Sequence, residues 1–196
     1  SNGALIDGDK QLCLFATDLD QRGLLVNRSV VITVMSNFGL RQAMEQVDIA
    51  TIEVPVGDRN ILTRLDAGAA VLGGEQSGHL IFRDHATTGD GLLSGALLTD
   101  LVLRSDKNSA ELASDAMRQV PQVLLNVSVP SKSAEITAEI QKEIELTQTR
   151  LANQGRVLVR ASGTEPLIRV MVEATEESLA QSEAERLAEV VRASIS

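Results

Sequence analysis

The apolar positions of residues 4–118 alternate between two patterns. Residues 30–35 form a continuous, mostly β-branched apolar run, which is typical of a strand buried on both faces. The apolar positions that follow have helical spacing: Leu40, Ala43, Met44 and Val47. The same alternation predicts strands at 49–54, 69–72 and 80–82, and helices over 7–22, 61–65, 91–103 and 110–117. This order predicts a three-layer α/β domain, over residues 4–118, with a mostly parallel or mixed sheet.

Residues 121–196 have a different pattern. Alternating apolar residues predict half-buried strands at 123–129, 157–159 and 168–174. A helical repeat over 136–151 lies between the first two strands, with Gly155 as its expected stop. We expect Thr175 to cap a last helix, with acidic residues at its positive end. The order of elements predicts a small two-layer α+β domain over residues 121–196.

Composition narrows the classes of function. The chain has 196 residues, 43% of them hydrophobic, and a net charge of −9, with three Phe and no Tyr or Trp. A single-strand nucleic-acid site needs aromatic platforms and a positive groove, so we expect no nucleic-acid partner. The apolar runs are too short to span a membrane, so we expect no membrane partner either. Cys13 is the only cysteine and lies in an apolar segment. We therefore predict a buried core thiol and a reduced, cytoplasmic protein.

The segment Gly73-Gly74-Glu75-Gln76-Ser77-Gly78-His79 is the first candidate site. It follows a predicted strand, at the end of the sheet where α/β folds place ligands. Glu75 can accept hydrogen bonds from hydroxyl groups, Ser77 can donate or accept them, and His79 can also exchange a proton. On spacing alone, a glycine-rich turn with polar residues in solvent remains an equal alternative.

The segment Arg160-Ala161-Ser162-Gly163-Thr164-Glu165-Pro166 is the second candidate, with Arg169 shortly after it. A phosphate group needs backbone N–H groups, hydroxyls and a guanidinium that converge on one point. Glycine frees the backbone here, and the neighbouring side chains supply the other groups. The alternative, an ordinary hairpin with Ser-Gly turn chemistry, is the better reading if this segment is taken alone.

Three shorter segments are weaker candidates. Asp7-Gly8-Asp9 has aspartates spaced as in some metal sites, but no third carboxylate follows in register, so a helix cap is the better interpretation. Thr88-Gly89-Asp90-Gly91 precedes an apolar helix, and Asp90 fits its N-cap. Val56-Gly57-Asp58-Arg59 follows a strand and either directs Arg59 at an anion or starts a helix.

Together these segments resemble the carboxy-terminal half of the α-D-phosphohexomutases, most closely the bacterial phosphoglucosamine mutases. Residues 74–79 are similar to the sugar-specificity loop of that family, where Gln76 favours the glucosamine branch, and residues 160–166 are similar to its phosphate-binding loop. Residues 34–37, 56–59 and 88–91 also match. Asn60 departs from the pattern, because the glucosamine branch usually has Tyr after Gly-Asp-Arg.

The resemblance implies a reaction and a division of roles. The parent enzyme would interconvert glucosamine 6-phosphate and glucosamine 1-phosphate through a phosphoserine, Mg²⁺ and a hexose bisphosphate. Neither the serine loop nor the metal loop of the family occurs in this sequence, so the resemblance implies an inactive fragment with no metal ligands of its own. Phosphomannomutase/phosphoglucomutase, a non-catalytic phosphosugar-binding module and a structural domain remain alternatives, and no oligomeric state is predicted.

The residues that match the motifs inherit expected roles. The substrate-binding residues are Gly57, Arg59, Glu75, Ser77 and His79. The phosphate-binding residues are Arg160, Ser162, Gly163, Thr164 and Arg169. The resemblance also makes His79 a candidate catalytic acid or base, with a purely hydrogen-bonding role as the alternative.

Overall fold

The structure, a computed structural model, describes residues 3–130, 135–162 and 165–195. The chain divides into two compact units between Gln119 and Val120. The first unit has the helices α1 (Gly8–Gln21), α2 (Phe38–Gln46), α3 (Asp58–Asp66), α4 (Gly91–Arg104) and α5 (Ser109–Ala116). Its strands are β1 (Ser29–Thr33), β2 (Ala50–Val54), β3 (Leu72–Gly74) and β4 (Leu80–Phe82).

The sheet of the first unit has the strand order β2-β1-β3-β4. The pairs β1–β2 and β1–β3 are parallel, whereas β3–β4 is antiparallel. Successive residues of β1 point to opposite faces: Val30 and Ile32 join the core under α1, while Val31 joins the core under α3. Because β1 is buried on both faces, the predicted three-layer α/β arrangement with a mixed sheet is confirmed.

The second unit has the strands β5 (Gln122–Ser128), β6 (Gly155–Ala161) and β7 (Leu167–Ala174), and the helices α6 (Ala138–Leu151) and α7 (Glu177–Ile195). The strands form an antiparallel sheet in the order β5-β7-β6. Alternate residues of β7, such as Val170 and Val172, pack with Ile140 of α6 and Leu187 of α7 in one core. The helices therefore cover one face of the sheet, which confirms the two-layer α+β prediction.

Two predicted helix caps are present. Asp7 Oδ1 accepts a hydrogen bond from Lys10 N at 3.0 Å, and Asp90 Oδ1 accepts from Leu92 N at 2.9 Å and from Leu93 N at 3.1 Å. Each carboxylate satisfies N–H groups that have no partner within the first helical turn. Asp7 is thus a cap rather than a metal ligand.

Three local predictions were wrong. The strand predicted at 69–72 is displaced: β3 spans Leu72–Gly74, and Gly73 pairs with Val31 on one side and Ile81 on the other. Gly155 does not stop α6 but begins β6; the helix ends at Leu151, and Ala152 takes the positive φ of 48°. The last helix begins at Glu177, two residues after the expected cap at Thr175.

Candidate functional site

The loop between β3 and β4 carries the first group of candidate residues. Its ends are tied together, because Glu75 N donates to the His79 carbonyl at 3.0 Å and Gly78 N donates to the Glu75 carbonyl at 3.0 Å. Gly78 has a φ of 93°, in the region that favours glycine. Residues 74–79, called the sugar loop below after the resemblance, are therefore a compact turn.

The first turn of α1 contacts the backbone of the sugar loop and supports it. Gly8 N donates to the Gln76 carbonyl at 2.9 Å. A Cβ at Gly8 would lie 2.0 Å from the Glu75 carbonyl oxygen and 2.7 Å from Gly78 N, so only glycine permits this approach. Gly8 therefore allows α1 to pack closely against the sugar loop. This is a second role for the segment Asp7-Gly8-Asp9, which the sequence predicted only as a helix cap.

The other aspartate of that segment is wholly buried. Asp9 Oδ2 accepts a hydrogen bond from Asn37 N at 2.8 Å, and Asn37 is the N-cap of α2. Asp9 thereby links α1 to the chain that leaves β1. Within the parts of the chain that the structure describes, no group of three or more His, Cys, Asp or Glu residues is placed to hold a metal ion.

The Glu75 carboxylate lies at the beginning of α3. Its Oε1 accepts a hydrogen bond from Gly57 N at 2.8 Å, and Gly57 is the N-cap residue of α3. Ser77 Oγ lies 3.4 Å from Glu75 Oε2. Glu75, Ser77 and Gly57, three predicted substrate-binding residues, are therefore brought together.

His79 lies between α3 and the loop that precedes α4. Its Nε2 is 2.7 Å from Asp58 Oδ2, an ion-pair distance without the alignment of a hydrogen bond, and both side chains are 41% exposed. A Cβ at Gly89 would lie 2.2 Å from His79 Nε2, so the imidazole rests on bare backbone. Asp58 is a site residue that the sequence did not identify, although it lies between Gly57 and Arg59, which were both predicted.

Arg59 differs from the other residues of this group. It is exposed, and no ion pair with its guanidinium occurs among the described residues. It shares the first turn of α3 with Asp58. The first unit therefore presents carboxylate, hydroxyl and imidazole groups from one loop and one helix start, which suits a ligand rich in hydroxyl groups.

The hairpin between β6 and β7 carries the second group. Arg160 lies directly opposite Arg169 in the register of these strands, between the pairs Val159–Val170 and Ala161–Ile168. Since Val170 and Ile168 face the helices, the two arginines lie on the other face of the sheet. Like charges placed directly opposite are unfavourable, so an anion between these side chains would stabilise the pair.

Two hydrogen bonds of Ser162 hold the start of the hairpin loop. Ser162 is 4% exposed, its N donates to the Leu167 carbonyl at 2.9 Å, and its Oγ accepts from Glu165 N at 3.3 Å. Arg169 Nη2 lies 3.4 Å from Glu165 Oε2. Arg160 is exposed. Gly163 and Thr164, also predicted to bind phosphate, lie outside the described residues, so their roles stay predictions.

Two further expectations concern the rest of the chain. Cys13 is 1% exposed, and burial raises the pKa of its thiol to about 12, with a smaller effect from the nearby Asp9 and Asp7. The predicted buried core thiol is confirmed. Among the described helices, none combines the length and the apolar character needed to cross a membrane.

Residues 7–120 match the family model for phosphoglucomutase/phosphomannomutase, alpha/beta/alpha domain III. Residues 124–190 match the model for the phosphoglucomutase/phosphomannomutase C-terminal domain.

Curated relatives and solved structures agree with these models. A phosphoglucosamine mutase from Thermobifida fusca is 48% identical over 197 residues, which is 100% of this chain and 44% of that protein. A solved N-acetylphosphoglucosamine mutase from Aspergillus fumigatus matches with a TM-score of 0.82, at 22% identity, over 98% of this chain and 44% of that one. The same fungal enzyme has been solved with GlcNAc-6P and magnesium, and that structure matches with a TM-score of 0.79 at 21% identity.

The chain thus spans less than half the length of these relatives. The two family models together cover most of its residues, and they adjoin near the boundary between the compact units. The chain belongs to the phosphoglucomutase/phosphomannomutase family and carries domain III and the C-terminal domain of that family.

Proposed function

We propose that the chain is the sugar- and phosphate-binding part of a phosphoglucosamine mutase, an enzyme that interconverts glucosamine 6-phosphate and glucosamine 1-phosphate. The observation that carries this proposal is the opposed pair of Arg160 and Arg169 beside the buried Ser162, an arrangement that suits a phosphate group. The name of the Thermobifida relative favours glucosamine over mannose or glucose as the sugar.

The first unit would bind the sugar. The Glu75 carboxylate can accept hydrogen bonds, and Gly57 N fixes one of its oxygens, so its remaining acceptor positions are open to sugar hydroxyls. Ser77 adds a hydroxyl from the same turn. His79 would hold or move a proton at a sugar oxygen, with Asp58 Oδ2 at 2.7 Å from its Nε2.

The second unit would hold the phosphate group that is not transferred. Phosphoryl transfer depends mainly on positioning and charge stabilisation, and a planar guanidinium can bind two phosphate oxygens at once. Arg160 supplies that fork, and Arg169 and the 162–164 backbone would complete the site. This assignment extends to Gly163 and Thr164 only by the family resemblance.

The remaining chemistry would come from outside this chain. The relatives are more than twice as long, and the family resemblance places a phosphoserine and the Mg²⁺ ligands in the part that this chain does not match. Magnesium supplies charge neutralisation at the transferred phosphoryl group when bound. The fungal neighbours solved with magnesium and with glucose 1,6-bisphosphate support both as cofactors of the whole enzyme.

We also assign the enzyme to the cytoplasm, where a reduced cysteine is expected.

A titration of the 196-residue chain with glucosamine 6-phosphate tests the proposal. We expect chemical-shift changes at the sugar loop and at 160–169, and no formation of glucosamine 1-phosphate. Arg160→Ala should weaken binding about 10- to 100-fold, because a hydrogen bond to a charged group contributes about 1.5–3 kcal/mol. Arg186→Ala is the matched control, since that exposed arginine belongs to α7. Shifts confined to other regions, or an unaffected Arg160 variant, would contradict the site.

A further inference from the structure

Helix α4 is apolar around most of its circumference. Its 14 residues include only two charged ones, Asp100 and Arg104. A helix of this kind is normally buried on all sides. In this chain Ser94 and Leu101 are buried, but Leu92 and Leu103 are 89% and 80% exposed. The sequence of α4 thus suits an environment that the described residues do not provide.

The exposed residues of α4 form one continuous surface. Leu92 and Leu103 are eleven residues apart, which is close to three turns, so they lie on the same side of the helix. Ala96 and Thr99 lie between them on that side, and both are exposed. These four residues, called the α4 face, extend over about 16 Å and include no charge. The opposite side of α4, through Leu97 and Leu101, packs on the core of the first unit.

We propose that the α4 face is the docking surface for the amino-terminal part of the longer protein, the part of the relatives that this chain does not match. The Thermobifida relative aligns with the whole of this chain but only with 44% of its own length. The matched models are domain III and the C-terminal domain, so the additional length precedes α1. A preceding domain with an apolar patch would cover the exposed leucines.

The position of residues 4–6 supports this occupant. These residues, to which the preceding part would connect, lie against α5 near Ala110 and Ala113. Helix α5 follows α4 directly, and both helices contact α1. Leu5 is itself 82% exposed. The preceding part would therefore join the first unit on the layer that contains α4. A second copy of this chain is the competing occupant.

Thiol labelling can distinguish the two occupants. Cys13, the only native cysteine, is buried and has a raised pKa, so its reaction with a maleimide is a slow background. Leu92→Cys and Leu103→Cys place a reporter at each end of the α4 face. Leu146→Cys, at a 43% exposed position of α6, is the control. Each variant is made in the 196-residue chain and in the same chain fused after the amino-terminal part of the Thermobifida relative.

We expect the two α4 reporters to react about tenfold or more slowly in the fusion than in the 196-residue chain, because a covered thiol reacts only through local opening. The Leu146→Cys control should react equally in both. Equal rates at Leu92→Cys in both proteins would overturn the proposal. Protection that appears in the 196-residue chain and grows with its concentration would also overturn it, in favour of a second copy.

A fusion that fails to fold does not end the test. Cysteines at the aligned positions of the Thermobifida relative itself give the same comparison in an intact protein. Reporters that react there as fast as they do in the 196-residue chain would equally reject the docking surface. The labelling rates do not depend on mutase activity, so this test stands apart from the proposed function.

Discussion

The Glu75 carboxylate and the backbone of the sugar loop already have hydrogen-bond partners, whereas the opposed arginines of the β6–β7 hairpin bring two like charges together. Glu75 is held by Gly57 N, and the loop backbone is held by Gly8 N. Arg160 and Arg169 lie opposite each other, and only Arg169 has an ion pair among those described, at 3.4 Å to Glu165. The first site is thus shaped before any ligand arrives, while the second has a charge arrangement that a bound anion would improve.

The difference corresponds to the chemistry of the two proposed ligand groups. Hydroxyl groups are neutral and are recognised by the direction of each hydrogen bond, so their acceptors must be fixed in advance. A phosphate group carries charge in every orientation, so concentrated positive charge matters more than the fixed direction of any one donor.

The largest effect is expected for His79→Gln in the longer protein, meaning the fusion described above. Loss of a general acid or base should lower kcat by roughly 10²-fold or more while KM changes little. His85→Gln is the matched control, because His85 is exposed and is the only other histidine. Steady-state kinetics measures both variants. An unchanged kcat in His79→Gln would contradict proton transfer by His79 and would favour a purely hydrogen-bonding role.

Glu75→Gln in the same protein should act on binding instead. The substitution keeps the acceptor that faces Gly57 but removes the charge, so ground state and transition state should weaken alike. The expected loss is about 1–3 kcal/mol, or roughly 10- to 100-fold in kcat/KM, mainly as a higher KM. Glu45→Gln, at an exposed position of α2, should leave both constants unchanged. Wild-type kinetics for Glu75→Gln would reject the sugar loop as a binding element.

Gly8→Ala tests whether the contact with α1 holds the sugar loop in shape. The added Cβ would lie 2.0 Å from the Glu75 carbonyl oxygen, so the loop or α1 must move. We expect the free energy of unfolding to fall by about 1–3 kcal/mol, as for overpacked cores. Gly95→Ala is the opposite control: it has open space in α4 and should raise the free energy of unfolding by about 0.5–1 kcal/mol. Urea denaturation of the 196-residue chain measures both.

The smallest effect concerns the arginine pair without a ligand. Arg160→Ala removes one of two facing charges, so the free energy of unfolding should rise slightly, on the order of a few tenths of a kcal/mol. Added phosphate should reverse the order, because an anion bound to the folded wild type stabilises it. Denaturation at low ionic strength with and without phosphate checks this. A destabilised Arg160→Ala without phosphate would mean that the hairpin does not concentrate charge.

The sequence predicted the fold class because the apolar periods are clear. The β-branched run at 30–35 and the helical spacing from Leu40 each identify one element without reference to the rest of the chain. Gly73 and Gly74 were not assigned to a strand, because no apolar period includes them. Glycine usually weakens a strand, but Ile61 and Val31 leave no room for a Cβ at Gly73, and Leu80 and the His79 carbonyl leave none at Gly74. These contacts are visible only in three dimensions.

The candidate site was predicted in part for similar reasons. Glu75, Ser77 and His79 lie in one short loop, so their proximity follows from the sequence. Asp58 is 21 positions from His79 and reaches it only because α3 packs beside β3. The support from Gly8 was also missed, since a single glycine before a helix looks like part of the cap.

The attachment of the sugar loop to Gly8 and Gly57 also limits how this site can change during evolution. Gly8 N binds the backbone carbonyl of Gln76, and Gly57 N binds the side chain of Glu75. Together these two hydrogen bonds fix the length and path of the loop. An insertion or deletion within 74–79 would break both together. The side chain of Gln76, in contrast, takes part in neither attachment, because only its backbone carbonyl accepts from Gly8 N. A new sugar preference would therefore arise by substitution at position 76, in a loop of constant length.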